Sequence, residues 1–382
     1  MGTPYSDLAD VLSEKSYDFV ASLPPESQLF LLLMQAGESQ SRFAKIDELL
    51  STYTLRWDAL IQLARKHGGI PLFYKTLKDK HHSLVPQNVK TRLQNDFHSI
   101  GLLIAMQTRV MKHLIDDFAS VNMPILFFKG IQLGAEVYGN PIWRKPGDLD
   151  VLIHEVHFAP AKERLLQLGF DTRLTPAEEK AQLARQRQLT FYGNTVDVDV
   201  HFSLEQRSFI KMSYAATFDS QDVWKRATHV MLDDTRIPSL APEDQFCLLC
   251  VHSAKHGWFR MYMLTDLAAY MTNVPLNWQK IAIRAKRIKA ERMLSLNVLL
   301  VHRLFQIPIP DTIRRLIAKD STLFALSDQI MERLFDDDAE EKSFQFHRIQ
   351  AGLFPRWSEK AMYLGYVTAE HWKRRWSRKA VR

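Results

Sequence analysis

Asp148 and Asp150 flank a single leucine in the run Arg144-Lys145-Pro146-Gly147-Asp148-Leu149-Asp150-Val151-Leu152-Ile153. On an extended strand side chains alternate between faces, so carboxylates at this spacing share a face about 7 Å apart. Like charges at that separation repel unless a cation sits between them, and hard oxygen ligands suit Mg²⁺ or Mn²⁺. A second acidic stretch follows in Val196-Asp197-Val198-Asp199-Val200-His201-Phe202. Its alternation puts the valines and Phe202 on one face, and Asp197, Asp199 and His201 on the other. Pairing the two strands would bring Asp199 near Asp148 and Asp150. Three converging carboxylates can hold two divalent ions, the clamp used for in-line displacement at phosphorus. An Asp-x-Asp alone is common on surfaces. Joined to the second strand and to an upstream strand that ends in Lys129-Gly130, it becomes a candidate site.

Those residues need a sheet to position them. Residues 1–118 read as helical, including an amphipathic helix from about Pro86 to Val121. At Pro124 the pattern changes. Ile125–Phe128 predicts a short buried strand, and Ile131–Tyr138 a helix. After the Asp-Leu-Asp strand come helices near Ala159–Leu168 and Pro176–Gln188, then strands near Leu189–Tyr192 and Thr195–Phe202. From about Tyr214 the pattern returns to helices, with Pro242-Glu243-Asp244 as a helix start. The expected fold class is α+β. A small mixed sheet at 119–213 lies between an N-terminal helical region at 1–118 and a C-terminal one at 214–382, which ends in a basic tail.

With 46% hydrophobic and 24% charged residues among 382, the composition is that of an ordinary soluble globular protein. No apolar run approaches the roughly 20 residues a membrane helix needs. The N-terminus carries acids and lacks a basic-then-apolar leader, so a cytoplasmic setting is expected. Net charge is +7, but the last twelve residues hold Lys373, Arg374, Arg375, Arg378, Lys379 and Arg382, and without these six it falls to +1. The body of the chain therefore gives no electrostatic case for nucleic acid. The tail, with Trp372 and Trp376 four residues apart, suits peripheral contact with an anionic surface. Cys247 and Cys250 sit in an apolar run with no second ligand pair for zinc, and read as buried small hydrophobes.

Other candidates surround the acidic strands. His201 would orient Asp199 or meet the acceptor. His252 and His256 share a helix face at i and i+4, with Lys255 beside them. Their segment reads His-Ser-Ala-Lys-His and lacks the glutamate of a zinc hydrolase, so this helix is expected beside the nucleotide pocket, with Asp266 as a hydrogen-bond partner.

Phe128-Lys129-Gly130, Leu133, Tyr138-Gly139, Arg144, Gly147-Asp148-Leu149-Asp150-Val151-Leu152-Ile153, Gly169-Phe170 and Asp199-Val200-His201-Phe202 resemble the uncharacterised nucleotidyltransferase family, part of the DNA polymerase β-like nucleotidyltransferase superfamily. The resemblance extends over most of residues 50–275. It implies a polymerase β-like palm in which Asp148 and Asp150 bind both metals, and Asp199 completes the catalytic metal site and helps deprotonate an acceptor hydroxyl. The superfamily's usual Gly-Ser is here Lys129-Gly130. Gly130 would still admit phosphate close to the backbone, and Lys129 would supply a cation where the serine is missing. By the same resemblance Arg144, just ahead of the acidic strand, is the best candidate to meet a triphosphate or leaving pyrophosphate. The expected activity is Mg²⁺- or Mn²⁺-dependent transfer of NMP from an NTP, AMP from ATP first among them, to an unidentified small-molecule, peptide or glycan acceptor, with release of pyrophosphate. One alternative is a glycosyltransferase whose Asp-x-Asp grips a nucleotide-sugar, which gives the Asp197-Asp199-His201 face no role. The other is a catalytically silent nucleotide-binding module.

Overall fold

The computed structural model describes residues 19–35, 37, 39–79, 82–204, 218, 220–336, 343–354 and 356–380. The expected boundary at 213/214 lies outside them, as do the side chains of the basic tail. Before the first strand run α1 (Pro25–Leu33), α2 (Gln40–Thr52), α3 (Trp57–His67), α4 (Ile70–Asp79) and α5 (Gln87–Ser120). The last is one 34-residue helix. Ile104, Gln107, Met111, Leu114 and Phe118 recur every three or four residues along it and form a single buried stripe.

That stripe covers one face of a six-stranded mixed sheet of order β3-β4-β2-β1-β6-β5. The strands are β1 (Ile125–Phe128), β2 (Leu149–Ile153), β3 (Gln188–Phe191), β4 (Val198–His201), β5 (Thr228–Leu232) and β6 (Thr235–Ser239). Between β1 and β2 lies α6 (Gly130–Tyr138); α7 (Phe158–Gln167) and α8 (Pro176–Gln186) carry the chain from β2 to β3. The β2 strand pairs antiparallel with β1 and parallel with β4.

The stretch after residue 214, expected as helix, supplies two strands of this sheet. A short helix, α9 (Ser220–Lys225), precedes the β5–β6 hairpin, whose turn holds Asp233 at φ 50. Val230, Leu232, Ile237 and Ser239 are buried at alternate positions. Pro238 hides the second strand from a sequence reading because proline cannot donate to a ladder. Non-local pairing decides the matter: β6 lies parallel to β1, with Ser239 opposite Phe127.

The remaining chain is helical: α10 (Pro242–Lys255), α11 (Tyr262–Asn273), α12 (Trp278–Arg287), α13 (Glu291–Phe305), α14 (Asp311–Ile317), α15 (Thr322–Leu334), α16 (Phe344–Gly352) and α17 (Trp357–Ala380). None of the described helices is long and apolar enough to cross a membrane. Cys247 and Cys250 are buried, free thiols in α10.

The sheet's two faces meet different cores. Ile125, Phe127, Val151, Ile153, Val198 and Val200 pack with α5 and α7, whereas Leu126, Phe128 and Leu152 belong to the larger cluster built by the flanking helices. Alternation therefore turns Asp150, Asp199 and His201 away from the α5 side, toward the helical half of the molecule.

A buried imidazole joins the N- and C-terminal helices. His67, the last residue of α3, accepts from the Met261 N–H at 3.0 Å. Burial first, then the charges of Lys66 and Arg260, push its pKa down to about 3. The unfolded chain therefore takes up a proton between about pH 6.5 and 3 that the folded chain excludes, and stability present above this window is lost as pH falls through it. Urea denaturation at pH 7 and pH 5 should show the wild type losing about 2 kcal/mol more than His67→Gln. Equal losses would show that this imidazole does not titrate in the unfolded chain alone.

Candidate active site

The site begins where β1 ends. All four residues of β1 are buried, so the chain must turn sharply to leave the sheet. Lys129 makes the turn at φ 59, ψ −151, a region that suits glycine and strains a side-chain-bearing residue. Gly130 follows at φ 47, where an added Cβ would lie 3.1 Å from the Asp148 carbonyl oxygen. The Leu133 N–H then donates to the Lys129 carbonyl at 2.9 Å, which starts α6. The first N–H groups of that helix lack intrahelical acceptors and form its positive end, beside the acidic strands.

Parallel register sets Asp150 directly opposite Asp199, and Leu152 opposite His201. Donor atoms of Asp150, Asp199 and His201 all lie within 4.8 Å of one another. Lys129 Nζ is 3.0 Å from Asp150 Oδ1. His201 Nε2 is 3.3 Å from the same oxygen, and among the described residues this buried nitrogen has no well-formed hydrogen bond. Thr190 Oγ1, from the neighbouring β3, donates to Asp199 Oδ1 at 2.6 Å and orients that carboxylate. Asp197 is occupied elsewhere and accepts from the Gly193 N–H at 3.3 Å.

The carboxyls differ sharply in acidity. Burial raises Asp150, but the ammonium of Lys129 and the imidazole of His201 outweigh it and hold the pKa at about 2. Asp148 lies just before β2 at the exposed mouth. Partial loss of water, then the charges of Asp199, Asp150 and Asp197, push it up to about 6. Asp148 is thus within electrostatic reach of the cluster, while the tight donor set comprises Asp150, Asp199 and His201.

Arg144 is buried. Its Nε donates to Asp266 Oδ2 at 2.9 Å, and its Nη1 to the Gly130 carbonyl at 3.3 Å. Tyr138 donates to the other Asp266 oxygen at 2.9 Å. The guanidinium thus ties the Gly130 turn to α11, and Asp266 is its partner rather than that of the α10 histidines. Gln107 of α5 donates to the Gly147 carbonyl and braces the loop before β2 from the other side.

The end of α10 closes the cleft. Burial, then the charges of Lys129, His256, Lys255 and Arg144, hold His252 well below the usual imidazole pKa. His256 packs against it, with ring centroids 4.6 Å apart. Lys255 feels Lys129, Asp150 and Asp199; loss of water and Lys129 lower its pKa, and the two carboxylates oppose that. Thr190 is a site residue that the motif reading did not name, and Lys255 entered it only as a neighbour of the two histidines. Alternation along β3 puts Thr190 on the face of Asp199, a signal that requires the strand pairing to be known.

Two carboxylates and an imidazole around one point, with a buried ring nitrogen lacking a well-formed hydrogen bond, fit a divalent cation of Mg²⁺, Mn²⁺ or Zn²⁺ type. The Arg144–Asp266 pair makes the frame testable. Burial raises Asp266, and the contacts from Arg144 and Tyr138 oppose that rise. Removing one partner of a buried pair strands the other, so Asp266→Asn should destabilise the fold by about 3 kcal/mol in chemical denaturation. A loss below about 1 kcal/mol would mean that the pair does not hold the frame.

Residues 54–306 match the model of the uncharacterised nucleotidyltransferase family. No curated protein matches the chain. The matched span takes in α3, the Lys129-Gly130 turn, both acidic strands, the Arg144–Asp266 pair and the α10 end. With these elements inside the matched region, the chain belongs to the uncharacterised nucleotidyltransferase family and is a nucleotidyltransferase.

Proposed function

We propose that the protein transfers NMP, AMP from ATP foremost, to a hydroxyl or phosphate oxygen of a small-molecule, peptide or glycan acceptor, on a polymerase β-like palm that uses Mg²⁺. The observation that carries this reading is the in-register pairing of Asp150 with Asp199, beside a glycine turn that opens a helix. The acceptor oxygen bonds to the α-phosphorus as the bond between that phosphorus and the bridging oxygen breaks, and pyrophosphate leaves with the bond's electrons. When bound, Mg²⁺ would be held by Asp150 and Asp199, with Asp148 or His201 completing the set, and would neutralise charge on the phosphates.

The chain's own residues have separable tasks in this proposal. Asp199, oriented by Thr190, takes the acceptor proton. Gly130 and the start of α6 receive phosphate oxygens on backbone N–H groups. Lys129 and Lys255 supply positive charge to the triphosphate. Arg144 shapes the Gly130 turn through its contact with that carbonyl and adds charge behind the triphosphate. His252 and His256 line the acceptor side. The nucleotide-sugar reading leaves Asp199 and His201 without a task, and a silent module leaves the carboxylate cluster unexplained. A cytoplasmic setting and contact of the basic tail with an anionic surface belong to the same proposal.

With α-phosphate-labelled NTPs and a pool of small hydroxylated acceptors, Asp150→Asn and Asp199→Asn should each cut label transfer by about 10³-fold or more while the thermal unfolding midpoint holds. Retained transfer in either variant would remove the carboxylate assignment. Lys255→Ala should raise the KM for NTP about tenfold with a smaller change in kcat, as expected when a phosphate contact outside the reacting bond is lost. An unchanged KM would place Lys255 outside the nucleotide subsite.

A further inference from the structure

Lys129 has two features that a role as phosphate ligand does not account for. Its backbone sits at φ 59, ψ −151, a conformation that glycine would adopt without strain. Its ammonium is 3.0 Å from Oδ1 of Asp150, whose carboxylate belongs to the two-carboxylate, one-imidazole donor set and whose Oδ1 also lies 3.3 Å from His201 Nε2. The Lys129 and Asp150 side chains are only 12% and 13% exposed, so little water screens charges placed between them. A divalent ion on that oxygen would sit about 2 Å from it. Lys129 Nζ in its present position would then face the ion across a short, poorly screened gap, and two cations so placed repel strongly. The ammonium and the ion therefore compete for the charge of the same Asp150 carboxylate.

We infer that Lys129 is the resident counter-ion of Asp150 in the nucleotide-free protein and gates the metal site, so that a divalent ion is admitted together with a nucleotide rather than before it. The inference rests on the metal-dependent reading given above. Lys129 directly precedes α6, so side-chain rotation alone carries its ammonium from Asp150 to an anion held at the helix start. A triphosphate at that point offers the ammonium a new partner and frees the carboxylate. Without a nucleotide, leaving Asp150 strands the ammonium in a half-buried cleft. The backbone turn at Lys129 leads from β1 directly into α6 and so sets this side chain beside both Asp150 and the helix start.

Binding of Mn²⁺ to the full chain, followed through the electron paramagnetic resonance of the free ion, tests the gate with and without a non-hydrolysable NTP. The variants are Lys129→Met, which keeps side-chain bulk, and Lys129→Gly, which relaxes the backbone and so guards against a folding defect in the first. Without nucleotide, both variants should bind Mn²⁺ at least about tenfold more tightly than the wild type; with nucleotide, the difference should close to within about twofold. Equal affinity of all three proteins without nucleotide would overturn the gate and leave the metal reading standing. Failure of every protein to bind Mn²⁺ with or without nucleotide would remove the metal reading, and the gate with it.

Discussion

The parallel pairing of β2 with β4 sets Asp150 opposite Asp199, and the surrounding structure answers the repulsion this creates. Two carboxylates in a poorly solvated cleft disfavour each other's charge unless cations or donors compensate. Compensation comes from distinct directions. Lys129 and His201 approach one Asp150 oxygen, and Thr190 donates to Asp199. The consequence is a graded set of acids, with Asp150 near 2 and Asp148 near 6.

The helical half holds this arrangement in position. Arg144 joins the Gly130 turn to Asp266 of α11, and Tyr138 takes the other carboxylate oxygen. Gln107 holds the Gly147 carbonyl from the α5 side. The loop that delivers Asp148 and Asp150 is therefore braced from both layers, and the turn that would meet phosphate is fixed by a buried ion pair. Buried pairs of this kind are demanding to maintain, which is consistent with their use to specify geometry rather than to add stability.

Much of the fold could be read along the chain. The β1 strand, α6, α7, α8 and the long α5 fall within a few residues of their expected positions, because each has a local period and a local stop. The β5–β6 hairpin escaped because Pro238 argues against a strand and its parallel partner β1 lies over a hundred residues earlier. Within the cleft, alternation along the two acidic strands anticipated that Asp150, Asp199 and His201 face one another, while Asp197, expected on the same face, accepts from the Gly193 N–H instead. The helix carrying His252, Lys255 and His256 was expected beside the pocket, but that Lys255 itself feels Asp150 and Asp199 follows only from the way the end of α10 packs against the sheet.

The sequence by itself determined which side chains share a strand face, since the β period of two is a property of the backbone and of residue order. It also determined the chemical types at that face: carboxylates, an imidazole and a lysine before a glycine. Only the tertiary structure decided how these groups divide one another's charge. Lys129 meets Asp150 and Arg144 meets Asp266, the latter across 122 residues. Such choices depend on which helices close over the sheet and how much water they exclude, and neither follows from local residue order.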